Sequence, residues 1–176
     1  MEWLTQFFEK LFSIVPRLWM VDPDEGGVRV TLGTRVKPLA PGWYICWPMI
    51  QTCEKIKVVT QVVDLRPQSV WTADKIEMVV SGCIKYRVAT AKDAILGVYD
   101  YDANIKTLAL GIIFDYVTGH TSEKLDITTL KAEILKGLRE TSRGWGLKID
   151  AVYLTDIGAV KNLRLLVNEP MFGIKE

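Results

Sequence analysis

Cysteine, histidine, serine and clustered acids are the side chains that most often do chemistry, and in this chain none of them is spaced for it. Cys46, Cys53 and Cys83 lack the short Cys-x-x-Cys separation of a structural zinc site. A bridge between Cys46 and Cys53 requires their strands to be adjacent; otherwise all three read as reduced, buried small residues in a cytosolic setting. His120 is the single histidine, in Thr118-Gly119-His120-Thr121, with no cysteine or paired acid at ligand spacing. It reads as a solvated loop residue rather than a metal ligand or general base. Ser69, Ser81 and Ser142 are not in nucleophile-elbow sequences. Gly26-Gly27 precedes a strand pattern, and no glycine-rich phosphate loop occurs. Asp22, Asp24 and Glu25 form the densest acid cluster, but their spacing is not that of a calcium loop and reads as a solvated hinge. The expectation is a non-enzymatic protein with no catalytic residue, no metal and no cofactor.

The chemistry that the residues do suggest is partition between two solvents. At 100° per residue, Trp3, Leu4, Phe7, Phe8, Leu11, Phe12, Ile14, Val15, Leu18 and Trp19 fall within one half-turn of a helix. Glu2, Thr5, Gln6, Glu9, Lys10, Ser13 and Arg17 fill the other half. Burying the apolar face, at about 1.5 kcal/mol or more per side chain, is worth on the order of 10 kcal/mol before ordering costs. Charges at Glu2, Glu9, Lys10 and Arg17, with Pro16 as a kink or end, keep the stretch short of the roughly 20 apolar residues that span a bilayer. Tryptophans near both ends and phenylalanines between them suit a helix lying in the interface, bound through apolar area rather than charge. The competing reading docks this helix on its own domain, on a neighbouring subunit or in a partner's groove, as a soluble oligomeric interaction protein.

The totals narrow the field. A chain of 176 residues with 49% hydrophobic and 24% charged residues is one ordered globular domain with an appendage. Net charge of +1 supplies no basic field for nucleic acid. An acid directly after Met1 and periodic rather than continuous apolar positions do not read as a signal peptide. The domains expected are an in-plane membrane helix over residues 1–20, a folded domain over 21–160 and a short tail over 161–176.

The domain's periodicities supply the elements. A turn-rich hinge at 21–27 leads into a strand at 28–32, then a loop from Val36 through Pro41-Gly42. Residues 43–47 are a short apolar run, Trp43-Tyr44-Ile45-Cys46-Trp47, closed by Pro48. Alternation puts Trp43, Ile45 and Trp47 on one side and Tyr44 and Cys46 on the other. Core packing is the first reading of those aromatics; the second is a membrane-proximal loop at Trp43 and Trp47. Strands follow at 54–60, 62–66 and, most clearly, 76–88, where Met78, Val80, Ile84, Tyr86 and Val88 share a face with Ile76. The period then changes to 3.6 for helices at 91–98 and 102–117 and a third that Thr128 would cap, its charged face solvated or in subunit contact. A last alternating strand covers 147–157. Strands, then helices, then a returning strand make the expected class α+β.

Four landmarks stand in order: Leu39-Ala40-Pro41-Gly42 running to Pro48; Thr72-Ala73-Asp74 ahead of a strand ending Tyr86-Arg87-Val88; helices from 91 to 143; and Gly144-Trp145-Gly146-Leu147 before the final strand. Together they resemble the SPFH or band 7 domain of stomatins, prohibitins and flotillins. The resemblance implies an SPFH-like α+β fold just after an N-terminal anchor; many relatives have a transmembrane segment or hairpin there, so the interfacial helix makes the expected attachment peripheral, and the reduced cysteines place it on the cytoplasmic face. The resemblance also implies lateral self-assembly into rings or cages that organise lipids or restrain membrane proteins, including proteases. The long coiled coil of many relatives has only residues 161–168 to match it, so a low ring, an arc or incorporation beside longer relatives is the expected homo-oligomeric form.

The amphipathic stretch generates a direct test. In liposome flotation the wild-type chain should rise with the vesicles and a Phe7→Glu, Leu11→Glu double variant should stay below. Equal flotation would remove the interfacial helix as an anchor.

Overall fold

The computed structural model describes residues 15–160. The expected face residues from Trp3 to Ile14 and the tail from 161 lie outside the described residues. Among the described residues, eight strands and three α-helices follow in the order of the sequence: β1 (Arg17–Val21), β2 (Glu25–Thr31), β3 (Arg35–Leu39), β4 (Gly42–Cys46), β5 (Gln51–Lys57), β6 (Gln61–Trp71), β7 (Glu77–Val88), α1 (Ala91–Gly97), α2 (Tyr101–Gly119), α3 (Ile127–Thr141) and β8 (Leu147–Ala159), with a 3-10 turn at Ser122–Lys124 between α2 and α3. The class is α+β, with the strand-rich half first and one strand returning after the helices.

Three corrections concern the first half. The helical periodicity was expected to run through Trp19, but β1 starts at Arg17, so Leu18 and Trp19 are strand residues. Pro16 explains the change, since its ring forbids helix at the preceding residue and removes a donor. The expected hinge at 21–27 is a tight turn: β1 ends at Val21, β2 begins at Glu25, and the Glu25 N–H donates to the Asp22 carbonyl at 3.0 Å. The expected loop from Val36 is the strand β3, and it tolerates Pro38 because β3 is an edge, paired with β2 alone.

Two small sheets face each other at this end. β1 and β4 form an antiparallel ribbon in the register Leu18↔Ile45, Trp19↔Tyr44 and Met20↔Trp43. β3, β2 and β5 form the other sheet. Trp19 and Val21 lie over the backbone of Gly27 in β2, while Ala91 of α1 lies over Gly26. Because successive strand residues point to opposite faces, that pair of glycines lets a ribbon approach on one side and a helix on the other. Val21, Val28, Leu39 and Cys46 are buried in this layer.

The larger core is built on the sheet β6-β7-β8. Val80, Ile84 and Tyr86 of β7 are fully buried against Ile105, Ala109, Ile113 and Val117 of α2 and Leu130, Ile134 and Leu138 of α3. Both helix sets recur every four residues, which keeps them on a single packed stripe. Asp100 caps α2 by accepting from the Ala103 N–H at 3.0 Å, and Asp126, rather than the expected Thr128, caps α3 by accepting from Thr128 and Thr129 N–H groups. Arg139 on α3 donates from Nε and Nη2 to the Ile149 carbonyl of β8, tying helix to sheet. The alternation expected along β8 breaks because two bulges interrupt its pairing with β7, beside Asp150 and Thr155. Ile149 and Val152 therefore both reach the core although they are three residues apart.

Two of the sequence landmarks have mechanical roles. Gly146 sits at φ +66°, and a Cβ there would lie 2.4 Å from the Thr90 carbonyl oxygen; its own carbonyl accepts from Ala89 and Thr90 N–H groups. Asp74, in the β6–β7 turn, accepts from the Ser122 N–H and hydroxyl and from the Thr72 hydroxyl, while Ala73 donates to the His120 carbonyl. That turn thus latches the chain leaving α2. The Ser122 hydroxyl, then the Thr72 hydroxyl, holds the Asp74 carboxyl below its ordinary range. A group whose folded value is lowered stabilises above its unfolded pKa and ceases to do so as pH falls through the folded value. Asp74→Asn should therefore lower Tm at pH 7, and the difference from wild type should close as melts are repeated toward acid pH. A gap that stays constant with pH would mean the carboxylate charge is not what holds the latch.

Candidate functional site

The side chains whose types could do chemistry are engaged in structural contacts. His120 is partly buried rather than solvated: its ring stacks on Tyr116 with centroids 4.2 Å apart, and Nδ1 lies 2.7 Å from the Tyr116 carbonyl oxygen. Asp22 and Glu25 converge on the ammonium of Lys55, at 3.6 and 2.6 Å. The hydrogen bond from Lys55 is the main reason the Glu25 carboxyl titrates lower than usual, and that from Glu25 is the main reason Lys55 titrates higher. Ser81 pairs across strands with Thr155, hydroxyl to hydroxyl at 3.1 Å. Tyr86 donates to Asp102 at the start of α2, and burial, reinforced by that bond, raises its phenol well above the ordinary value. Among the described residues no three His, Cys, Asp or Glu side chains gather at metal-ligand spacing.

What stands out instead is the outer face of the β1–β4 ribbon. Directly paired residues share a face, so Leu18 with Ile45 and Met20 with Trp43 form one side, opposite the side that covers Gly27. These four are exposed, at 66, 59, 43 and 67%. Trp47, two residues beyond Ile45, continues the row, and Met49 and Ile50 follow in the turn to β5. Core packing, the first reading of Trp43 and Trp47, is therefore corrected: both indoles face outward, because the inner side of β4 is filled by Tyr44 and Cys46. Leu18 and Trp19 separate for the same reason, one on the outer face and the other against Gly27.

The turn carrying Trp47, Met49 and Ile50 is held from within. The Trp47 carbonyl accepts from Ile50 and Gln51 N–H groups at 3.1 and 2.8 Å, and the Gln51 side chain accepts from the Trp47 N–H. Leu32, at the tip of the β2–β3 hairpin, donates its N–H to the Ile50 carbonyl at 2.8 Å, which sets a further exposed leucine beside the turn. Leu32 has φ +51°, a left-handed conformation that a branched side chain adopts at a cost. Arg17, which opens β1, and Arg35, which opens β3, are exposed. Sequence reasoning had named Trp43 and Trp47 as one of two readings, and missed Met20, Ile45, Met49, Ile50 and Leu32. The alternation of 43, 45 and 47 was a signal for Ile45; Leu32 carried none, since it joins the patch only through the fold.

No helix among the described residues is long and apolar enough to cross a membrane. A model of the SPFH domain / Band 7 family matches residues 20–170. An uncharacterized protein of Methanocaldococcus jannaschii is 29% identical over 174 residues, covering 96% of this chain and 86% of its own length. A band 7 protein of Drosophila melanogaster is 27% identical over 150 residues, 83% of this chain and 30% of its own. Mouse stomatin is 26% identical over 119 residues, 66% of this chain and 42% of its own, so the match spans less than half of that relative.

Leu32 separates stability from use. Leu32→Gly removes a side chain that contributes little packing and relieves the positive φ, so the variant should be neutral or more stable by up to about 1 kcal/mol in urea unfolding. A loss of stability of that size would show that the leucine is held by packing instead.

Proposed function

The chain belongs to the SPFH domain and band 7 family, and from that premise we propose that it is a non-enzymatic scaffold seated on a membrane surface. The observation that carries this reading is the continuous exposed face of Leu18, Met20, Trp43, Ile45, Trp47, Met49, Ile50 and Leu32. A monomeric protein seldom leaves so many large apolar side chains together in water. Covering eight of them stabilises an attached state by about 5 to 10 kcal/mol before ordering costs. Lipid suits this surface better than a protein groove. Its exposed side chains include two indoles and two thioethers, the residue types suited to the interface between headgroups and acyl chains, and the apolar stretch from Trp3 to Val15 is joined in sequence to the same ribbon.

On this reading the anchor has two parts, the N-terminal apolar residues and the ribbon's outer face, with Trp43 and Trp47 at headgroup depth. The scaffold would work by repetition. One such contact gives modest, reversible attachment, whereas a lateral homo-oligomer, alone or with longer relatives, presents many on one plane and multiplies avidity. An arc or ring of this kind on the cytoplasmic face would gather lipids or restrain membrane proteins, a protease among them.

Trp43→Asp and Ile45→Asp change exposed side chains and should leave the circular dichroism and Tm close to wild type. Each should lower affinity for mixed phosphatidylcholine and phosphatidylglycerol vesicles by about tenfold or more. Unaltered vesicle binding with disrupted self-association in lipid-free solution would transfer the patch to a protein interface and overturn the membrane assignment.

A further inference from the structure

β4 and β5 belong to different sheets, so the strand adjacency expected for a bridge between Cys46 and Cys53 is absent, yet the chain between them brings the two thiols together. Cys46 ends β4, Cys53 lies in β5, and the turn between them brings the two sulfurs to 2.6 Å, with the Cys53 thiol directed at Cys46 and the Cys46 thiol at the Gln51 carbonyl. Both cysteines are free thiols. A covalent bond needs about 2.05 Å, so closure asks for little movement of either strand. Arg29 stands directly opposite Cys53 in the β2–β5 register, and its buried Nε has no hydrogen-bond partner. The Arg29 charge is the one influence on Cys53 that favours its thiolate, and burial with the Cys46 contact outweighs it.

We propose that Cys46 and Cys53 are a modification site, a dithiol that closes to an intramolecular disulfide and reopens by exchange with a small thiol. The co-reactant is a low-molecular-weight disulfide. Cys53, the more accessible of the two, loses its proton and attacks one sulfur of that disulfide, forming a mixed disulfide and releasing one thiolate. Cys46 then loses its proton and attacks the Cys53 sulfur, expelling the second thiolate. The protein gives up two protons and two electrons; the small disulfide takes them up and becomes two thiols. Burial, followed by the contact with Cys46, lifts the Cys53 thiol to about 12, so the first attack is slow at neutral pH and accelerates as pH rises. The product clips the base of the turn that carries Trp47, Met49 and Ile50. This inference is independent of what that turn touches.

The test uses the full chain with oxidised glutathione at pH 8, followed by alkylation of remaining thiols and mass analysis of the tryptic peptide spanning residues 36–55, which holds both cysteines. That peptide should lose two hydrogens and escape alkylation, while Cys83 is alkylated. Tm should rise by about 5 °C and fall back with dithiothreitol. Cys53→Ser should abolish both changes, and Cys46→Ser should stop the reaction at a glutathione adduct. Cys83→Ser should change neither. Full alkylation of Cys46 and Cys53 after oxidation, or a stable glutathione adduct on either of them in the wild-type chain, would overturn the proposal.

Discussion

Register between β1 and β4 is the constraint on which the rest of the surface depends. Trp19 and Val21 must face Gly27, where a side chain has been omitted to receive them, and that choice sends Leu18 and Met20 outward together with their cross-strand partners Ile45 and Trp43. A slip of one residue would exchange the two sets, burying Met20 and exposing Trp19. The outward face is thus the obligatory reverse of a packed one. It carries large apolar side chains where an ordinary solvent-facing ribbon would carry polar ones, and no packing among the described residues accounts for that choice.

The second half of the chain works as a rigid backing. β7 is paired on both edges and supplies Val80, Ile84 and Tyr86 to a core closed by two helices, while Asp74, Arg139 and Gly146 fasten the connections at the sheet's ends. The two halves meet through α1, which rests on Gly26 from the opposite side to the ribbon. Neither half contains a cluster with the geometry of a reaction centre among the described residues.

Much of this was legible where one period dominated. The alternation at 76–88 and the 3.6-residue stripes of α2 and α3 survive in the fold because each segment buries a single face. Legibility failed where a local irregularity resets the phase. Bulges in β8 place Ile149 and Val152 on one side, an outcome that strict alternation excludes. Leu18-Trp19-Met20-Val21 is a continuous apolar run that fits a helix face and a strand equally, and only pairing with β4 decides it. Pro38 argued for a loop, yet an edge strand accommodates it. The patch shows the same division: Trp43 and Trp47 could be named from their spacing, whereas Leu32 could be added only once its backbone was found bonded to Ile50.

Placing β1 before the Asp22–Glu25 turn also determines how the body is tethered. A linker at that position would let the domain swivel freely beneath whatever precedes it. Instead the chain passes from Pro16 straight into a strand paired along its length with β4. On the proposed membrane reading, an orientation imposed ahead of Pro16 would reach the sheet through that first strand.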